Sequence, residues 1–153
     1  KEGDLAAAYS NLADALRGLE LKGNKAALKA VIDKASEVLE NASEYTDSSI
    51  SGLGGALEKA MGVYEDENAA QGAVNAATEE LTRELVKARL KGDVNGDGRV
   101  DTKDATSLLK YSAELAELDT GELEGADVNK DGKADTKDAA LILQFAAEKI
   151  EAF

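Results

Sequence analysis

The chain contains no cysteine and no histidine, and aromatic residues make up only 4% of its 153 residues. Without thiolate or imidazole side chains, it has no cysteine nucleophile, no histidine general base and no transition-metal site built on either ligand. Asp and Glu number 31 against 18 Lys and Arg, and the formal net charge of −13 disfavours binding to nucleic acid phosphates. Carboxylates remain for binding chemistry, and they suit hard, oxygen-ligated cations.

Long apolar runs are also absent. No stretch approaches the roughly 20 residues of a membrane-spanning helix, and we expect no membrane insertion. The chain begins at Lys1 rather than at Met, so we expect it to be a piece of a longer polypeptide. Hydrophobic residues make up 43% of the sequence, mostly as Ala and Leu, and with so few aromatics this is typical of small helical bundles.

Apolar residues recur at spacings of three and four as far as residue 90, which predicts consecutive amphipathic helices. We expect the second helix to begin after Asn24, the third to begin at Thr46 or Asp47, and the fourth to span residues 68–90. The inward-facing positions expected on these three helices are Leu28, Val31, Ile32, Ala35, Val38, Leu39, Ile50, Leu53, Leu57, Ala60, Met61, Tyr64, Val74, Ala77, Leu81, Leu85 and Ala88. Together they predict an antiparallel three-helix bundle, in which close helix packing would explain Gly52, Gly54 and Gly55.

The predicted first helix, residues 5–19, belongs to a segment that matches a later one. Residues 5–23 align with residues 74–92, and both segments end in Leu-Lys-Gly. We interpret residues 1–23 as the last helix of a preceding copy of the bundle. The alternative is a chance match between two Ala- and Leu-rich helices.

Residues 28–90 carry a Tyr-Thr pair at 45–46, Ala-Leu-Glu-Lys-Ala at 56–60 and the pattern AxQGxVxxAxxxL at 69–81. With these motifs the segment resembles the FIVAR modules of bacterial extracellular proteins. The resemblance implies a three-helix module over residues 24–90. Two roles stay open for it: a spacer, or weak glycan or protein binding.

Two nearly identical twelve-residue segments follow: DVNGDGRVDTKD at residues 93–104, the first loop, and DVNKDGKADTKD at residues 127–138, the second loop. A calcium-binding loop supplies oxygen ligands from positions 1, 3, 5, 7, 9 and 12 and needs glycine at position 6, where Gly98 and Gly132 stand. The expected ligands, with position 7 using its backbone carbonyl, are Asp93, Asn95, Asp97, Arg99, Asp101 and Asp104, and Asp127, Asn129, Asp131, Lys133, Asp135 and Asp138. We therefore expect two Ca²⁺ ions, the alternative being a pair of solvated Asx turns.

The segments around the loops bear on the class of calcium protein. An amphipathic helix is predicted after each loop, over residues 104–118 and 138–150, whereas residues 119–126 are too short and glycine-rich for a helix that enters the second loop. A conventional EF-hand has a helix on both sides and usually Glu at position 12, where this chain has Asp twice. These features disfavour the alternative function, a calcium buffer or sensor of EF-hand type.

The duplicated loop-helix pattern is similar to type I dockerin modules, and GDVNGDGRVDTKDATSLLKYSAEL with ADVNKDGKADTKDAALILQFAAEK carries the resemblance. The resemblance implies a calcium-dependent module over residues 91–153 that binds a cohesin on a scaffolding or cell-surface protein, as in cellulosome-type complexes. It further implies an extracellular location and attachment of a larger enzyme or adhesin, such as a polysaccharide-degrading enzyme. We expect an all-α, non-catalytic chain, because no histidine, cysteine or GxSxG-type nucleophile site is present.

Transferred by position, the resemblance implies that positions 10 and 11 of each loop, with exposed residues of the following helix, face the cohesin. The expected partner-binding residues are Thr102, Lys103, Leu109 and Lys110, and Thr136, Lys137, Leu143 and Gln144. For the two leucines, core packing is the alternative. Because both repeats carry the same Thr-Lys pair, docking in two orientations about 180° apart stays open.

Other apolar residues of this region have a structural interpretation. We expect Leu108 to pack with Ile142, and Tyr111 with Phe145, between the two helices. Phe153, the last residue, is expected to close the module beside Gly92 or to be disordered.

Overall fold

The computed structural model describes residues 23–153 together with Tyr9 and Asn11. Apart from those two residues, the predicted helix over residues 5–19 lies outside the described part. Its proposed equivalence to residues 74–92 therefore stays a prediction. Within the described part, helices are the regular elements, and an isolated antiparallel bridge joins Tyr45 to Leu90. The all-α prediction is confirmed.

The helices of the described residues fall into two groups, each with its own hydrophobic core. In chain order the α-helices from residue 23 onward are α1 (Ala26–Glu40), α2 (Asp47–Ile50), α3 (Leu53–Glu65), α4 (Gln71–Leu85), α5 (Thr102–Ser112), α6 (Thr120–Ala126) and α7 (Thr136–Ala146), and a short 3₁₀ helix, Ala42–Glu44, lies between α1 and α2. Helices α1, α3 and α4 pack on one another as the predicted three-helix bundle, whereas α5 packs on α7.

Small and branched aliphatic residues at helical spacing fill the core of the bundle. The buried members are Leu28, Ile32, Ala35, Val38, Leu53, Ala56, Ala60, Ala69, Val74 and Leu81. The expectation was wrong for Met61 and Tyr64, which are 43% and 36% exposed. Met61 follows Leu53 by eight residues, which places it about 80° around α3 from the buried face. Tyr64 lies at the end of α3, where the Lys25 ammonium sits 5.8 Å from its ring centre.

Further details of the bundle differ from expectation. The single helix predicted to begin at Thr46 or Asp47 is divided into α2 and α3, with residues 51–52 between them. Helix α1 begins one residue later than predicted, although Asn24 Oδ1 still accepts a hydrogen bond from the Ala26 N–H at 3.0 Å. A Cβ atom at Gly52 would lie 2.5 Å from Glu84 Oε2, but at Gly54 and Gly55 it would meet nothing within 4 Å. Close packing therefore does not explain the last two glycines.

Helix α4 ends at Leu85 rather than at residue 90. The segment after it pairs with the segment before α2: the Thr46 N–H donates to the Arg89 carbonyl at 2.9 Å, and the Lys91 N–H donates to the Glu44 carbonyl at 2.8 Å. These two bonds pair residues 89–91 with residues 44–46, which is incompatible with continuation of the helix.

The second core joins the two loop-helix units. Its buried residues are Val94, Ala105, Leu108, Ala126, Val128, Ala139 and Ile142. Leu108 and Ile142 are fully buried there, as expected, and Tyr111 packs against the same core. The end of the chain also folds back, since the Phe153 ring stacks on Phe145 with ring centres 4.7 Å apart.

Helices α5 and α7 begin earlier and end earlier than predicted. Each has eleven residues. A capping box fixes the start of α5 at Thr102 and the start of α7 at Thr136. Glu114 and Glu148, with φ of 58° and 54°, turn the backbone out of the helix two residues after its end.

The prediction that no helix precedes the second loop was wrong. Helix α6, seven residues long, ends immediately before Asp127. Its start is stabilised by a capping box, in which Asp119 Oδ1 accepts from the Glu122 N–H at 2.8 Å and Glu122 Oε2 accepts from the Asp119 N–H at 2.7 Å. The first loop differs, because α4 ends at Leu85, well before Asp93.

The junction between the two cores is hydrogen bonded on both sides. Residues 89 and 91 bind the bundle, as described above, and the adjacent Gly92 N–H donates to the Gly125 carbonyl at 2.7 Å. The Arg89 guanidinium donates to the Val94 carbonyl at 3.4 Å. Residues 89–92 are therefore a bound connection rather than a free linker.

We predict that Gly92→Ala destabilises the protein. Gly92 has φ of 86°, and a Cβ atom there would lie 2.9 Å from Val100 Cγ1 and 3.0 Å from the Phe153 ring. Backbone strain and overpacking together should lower the free energy of unfolding by about 1–3 kcal/mol in urea denaturation. The control is Gly62→Ala on α3, where a Cβ atom meets nothing within 4 Å and stability should rise slightly. Equal stability of the two variants would contradict this account of Gly92.

Candidate functional site

Each loop runs into its helix through two carboxylates that cap the first turn. In the first loop, Asp101 Oδ1 accepts from the Lys103 N–H at 2.6 Å, and Asp104 Oδ2 accepts from the Asp101 N–H at 2.8 Å. The second loop repeats both bonds at Asp135 and Asp138, at 2.7 and 3.0 Å. Positions 9 and 12 of each loop thus belong to both the loop and the helix.

The carboxylates at position 12, Asp104 and Asp138, are completely buried. Their other oxygen accepts a hydrogen bond from the N–H of position 3, that of Asn95 at 3.0 Å or of Asn129 at 3.1 Å. Burial raises the pKa of Asp104 above its ordinary value, while the hydrogen bonds from the Asp101 and Asn95 N–H groups oppose the rise. Among the described residues, the ion pairs include neither carboxylate.

The first residue of each loop organises its turn. Asp93 Oδ2 accepts from the Gly98 N–H at 2.9 Å, and its Oδ1 accepts from the N–H groups of Gly96 and Asp97. Asp127 binds the Gly132 and Asp131 N–H groups in the same way. Positive φ values at position 6, 82° for Gly98 and 87° for Gly132, confirm the turn that the sequence predicts there.

The side chains at positions 3 and 5 also face the loop backbone in both copies. Asn95 Oδ1 accepts from the Asp97 N–H at 2.9 Å, and Asp97 Oδ1 accepts from the Arg99 N–H at 3.1 Å. The equivalent distances at Asn129 and Asp131 are 2.7 and 3.0 Å. The two loops therefore have nearly the same local structure, as their sequences predict.

The donor set fits Ca²⁺ by its chemistry. All side-chain donors of both loops are carboxylate or amide oxygens, the ligands that Ca²⁺ prefers, and an oxygen that accepts one N–H bond retains a second lone pair. As they stand, however, no three or more of the carboxylates within residues 23–153 converge into a group that would hold a metal ion. At least one oxygen of each loop carboxylate accepts instead from a backbone N–H group of its own loop.

The predicted partner-binding residues share one property, which is exposure to solvent. All eight of them, on α5, on α7 and at the ends of the loops, are exposed: Thr102, Lys103, Leu109, Lys110, Thr136, Lys137, Leu143 and Gln144. Leu109 is 42% exposed and Leu143 is 41% exposed, so the alternative of core packing for these leucines was wrong.

Two sets of contacts at the loops were missed from the sequence. Lys103 Nζ lies 3.8 Å from both Asp97 Oδ2 and Asp101 Oδ2, and Lys137 forms the equivalent pairs in the second loop. The recurrence of Lys at position 11, close to acidic positions 5 and 9, is the signal that would have revealed them. Arg89 reaches the first loop from the bundle, and a Cβ atom at Gly96 would lie 3.1 Å from its Nη2. No local pattern indicates this contact.

The helices of the described residues were also compared with the requirements of a membrane span. None of them is both long enough and apolar enough to cross a bilayer.

A family model, that of the dockerin type I domain, matches residues 91–145. The chain matches no curated protein and no solved structure. The matched segment contains both loops, α5 and α6, and all but the last residue of α7. It thus supports a dockerin module in this region, a calcium-binding, non-catalytic kind of domain that docks onto cohesin modules and is typical of extracellular or cell-surface complexes.

Proposed function

We propose that residues 91–153 form a calcium-dependent docking module that binds a cohesin and attaches a larger secreted enzyme or adhesin to a scaffold or cell-surface complex. The main supporting observation is the duplication of one loop-helix unit. Both copies share their cap and turn hydrogen bonds, and their helices α5 and α7 contribute to one core. A paired arrangement of this kind presents two equivalent helices to a partner.

Each loop is proposed to hold one Ca²⁺ ion. The residues that would hold the ions are the twelve ligands given above, with Arg99 and Lys133 contributing backbone carbonyls. Four Asp side chains in each loop repel one another, and a divalent cation would offset that repulsion. Because Asp101 and Asp104 also cap α5, their orientation couples ion binding to the start of the helix.

The proposed docking surface consists of the Thr-Lys pairs and the exposed leucines of α5 and α7. Leu109 and Leu143 supply apolar contact area, and the polar residues beside them supply a hydrogen-bonding rim. The two repeats differ at Lys110 and Gln144, and these side chains would distinguish the two docking orientations.

For residues 24–90 we propose a FIVAR-like three-helix module that acts as a spacer. The backbone bonds at residues 89–92 support a fixed rather than a swinging attachment to the docking module. A larger parent enzyme acting on polysaccharides is part of the same proposal.

The metal ligands are tested by Asp104→Asn and Asp138→Asn. Each substitution removes one buried charge from one loop, and the affinity of that loop for Ca²⁺ should fall by at least about tenfold, as expected for one charge-assisted interaction. Calorimetric titration should then show one tight site instead of two. Asp119→Asn is the matched control, because Asp119 caps α6 outside the loops and the variant should keep both sites. Two unchanged sites in Asp104→Asn would exclude this ligand assignment.

The docking surface is tested by the double variant Leu109→Asp, Leu143→Asp. Both side chains are exposed, so the fold should persist, but a desolvated apolar contact would be replaced by charge. In binding assays against a panel of purified cohesins, the wild type should bind at least one of them with Ca²⁺ present, and the variant should bind about 100-fold more weakly or not at all. Leu115→Asp, also exposed but on the segment after α5, is the control. Unchanged cohesin affinity in the double variant would refute the proposed surface.

A further inference from the structure

The lysine at position 11 of each loop lies beside two of the carboxylates of its own loop. Lys103 Nζ is 3.8 Å from Asp97 Oδ2 and 3.8 Å from Asp101 Oδ2. In the second loop, Lys137 Nζ is 3.6 Å from Asp131 Oδ2 and 4.0 Å from Asp135 Oδ2. The arrangement therefore occurs twice with the same loop positions.

Helix stability does not explain these lysines. Lys103 and Lys137 are the second residues of α5 and α7, and a cation at a helix N-terminus interacts unfavourably with the helix dipole. Their side chains are also 73% and 72% exposed, so they contribute little to the core. The carboxylates at positions 5 and 9 are the local groups that favour a positive charge here.

The same carboxylates belong to the ligand set proposed for Ca²⁺. An ammonium group paired with them neutralises part of the charge of the loop, and a Ca²⁺ ion among them would repel that ammonium group. A bound ion would therefore compete with the lysine for Asp97 and Asp101 in the first loop, and for Asp131 and Asp135 in the second.

We propose that Lys103 and Lys137 are internal counter-ions of the calcium-free loops, and that Ca²⁺ releases both ammonium groups to the docking surface. This inference rests on the calcium-dependent docking function proposed above. In this proposal, Ca²⁺ binding changes the charge of the docking surface and also orders its helices. A partner then meets two ammonium groups that are not paired with loop carboxylates only when Ca²⁺ is bound.

The first test measures the affinity for Ca²⁺ itself by calorimetry. Lys103→Met and Lys137→Met should each tighten binding in their own loop by about two- to fivefold, the range that an exposed ion pair permits. Lys103→Arg keeps the charge and should bind like the wild type. The control for the general loss of positive charge is Lys110→Met. Lys110 lies on α5, and the ion pairs that Lys103 forms with its loop do not include it.

The second test measures the accessibility of each ammonium group. Acetylation of the intact protein with an N-hydroxysuccinimide ester, followed by peptide mass spectrometry, should show Lys103 and Lys137 reacting about two- to fivefold faster with Ca²⁺ than with chelator. Lys110 should change by less than twofold.

The outcomes separate this inference from the proposed function. Wild-type protein that binds no Ca²⁺ would overturn the proposed function. Two bound ions, with Lys103→Met and Lys137→Met no different from Lys110→Met, would overturn the counter-ion role and leave the docking function intact. Faster acetylation of Lys103 and Lys137 in the presence of chelator would likewise overturn it.

Discussion

The C-terminal half of the fold depends on one buried carboxylate in each repeat. Asp104 and Asp138 lie fully inside the protein, and each joins its loop to the helix that follows by accepting N–H bonds from positions 3 and 9. A buried charge without a cationic partner is costly, so these positions favour a cation. The side chains that would bind the ion also set the start of α5 and α7, so ion binding would be linked to the geometry of the proposed docking surface.

The junction between the cores extends this coupling to the helical bundle. The bridge between Tyr45 and Leu90 fixes the end of the bundle, and the Gly92 N–H, two residues further on, donates to the Gly125 carbonyl of α6. Arg89 crosses from the bundle to the backbone of the first loop. A bundle joined in this manner has a fixed orientation relative to the two loop-helix units.

Features with fixed local spacing could be predicted from the sequence. The loop turns at Gly98 and Gly132 were found because a calcium loop has a strict residue order. The end of α4 was missed because it is set by a tertiary pairing with residues 44–46, which leaves no local signal. Helix α6 did have a local sequence signal, since Asp119 and Glu122 have the spacing of a capping box. The glycines at 121 and 125, however, argued against a helix.

The positions of the side chains within the candidate site were less predictable. The ion pairs of Lys103 and Lys137 with loop carboxylates depend on how each loop folds back on its helix. The exposure of Leu109 depends on which face of α5 meets α7. The most direct test of the account is a calorimetric titration of Ca²⁺ into chelator-treated protein with circular dichroism recorded in parallel. The account predicts two bound ions and a rise in helicity, whereas no binding, or binding without a change in helicity, would contradict it.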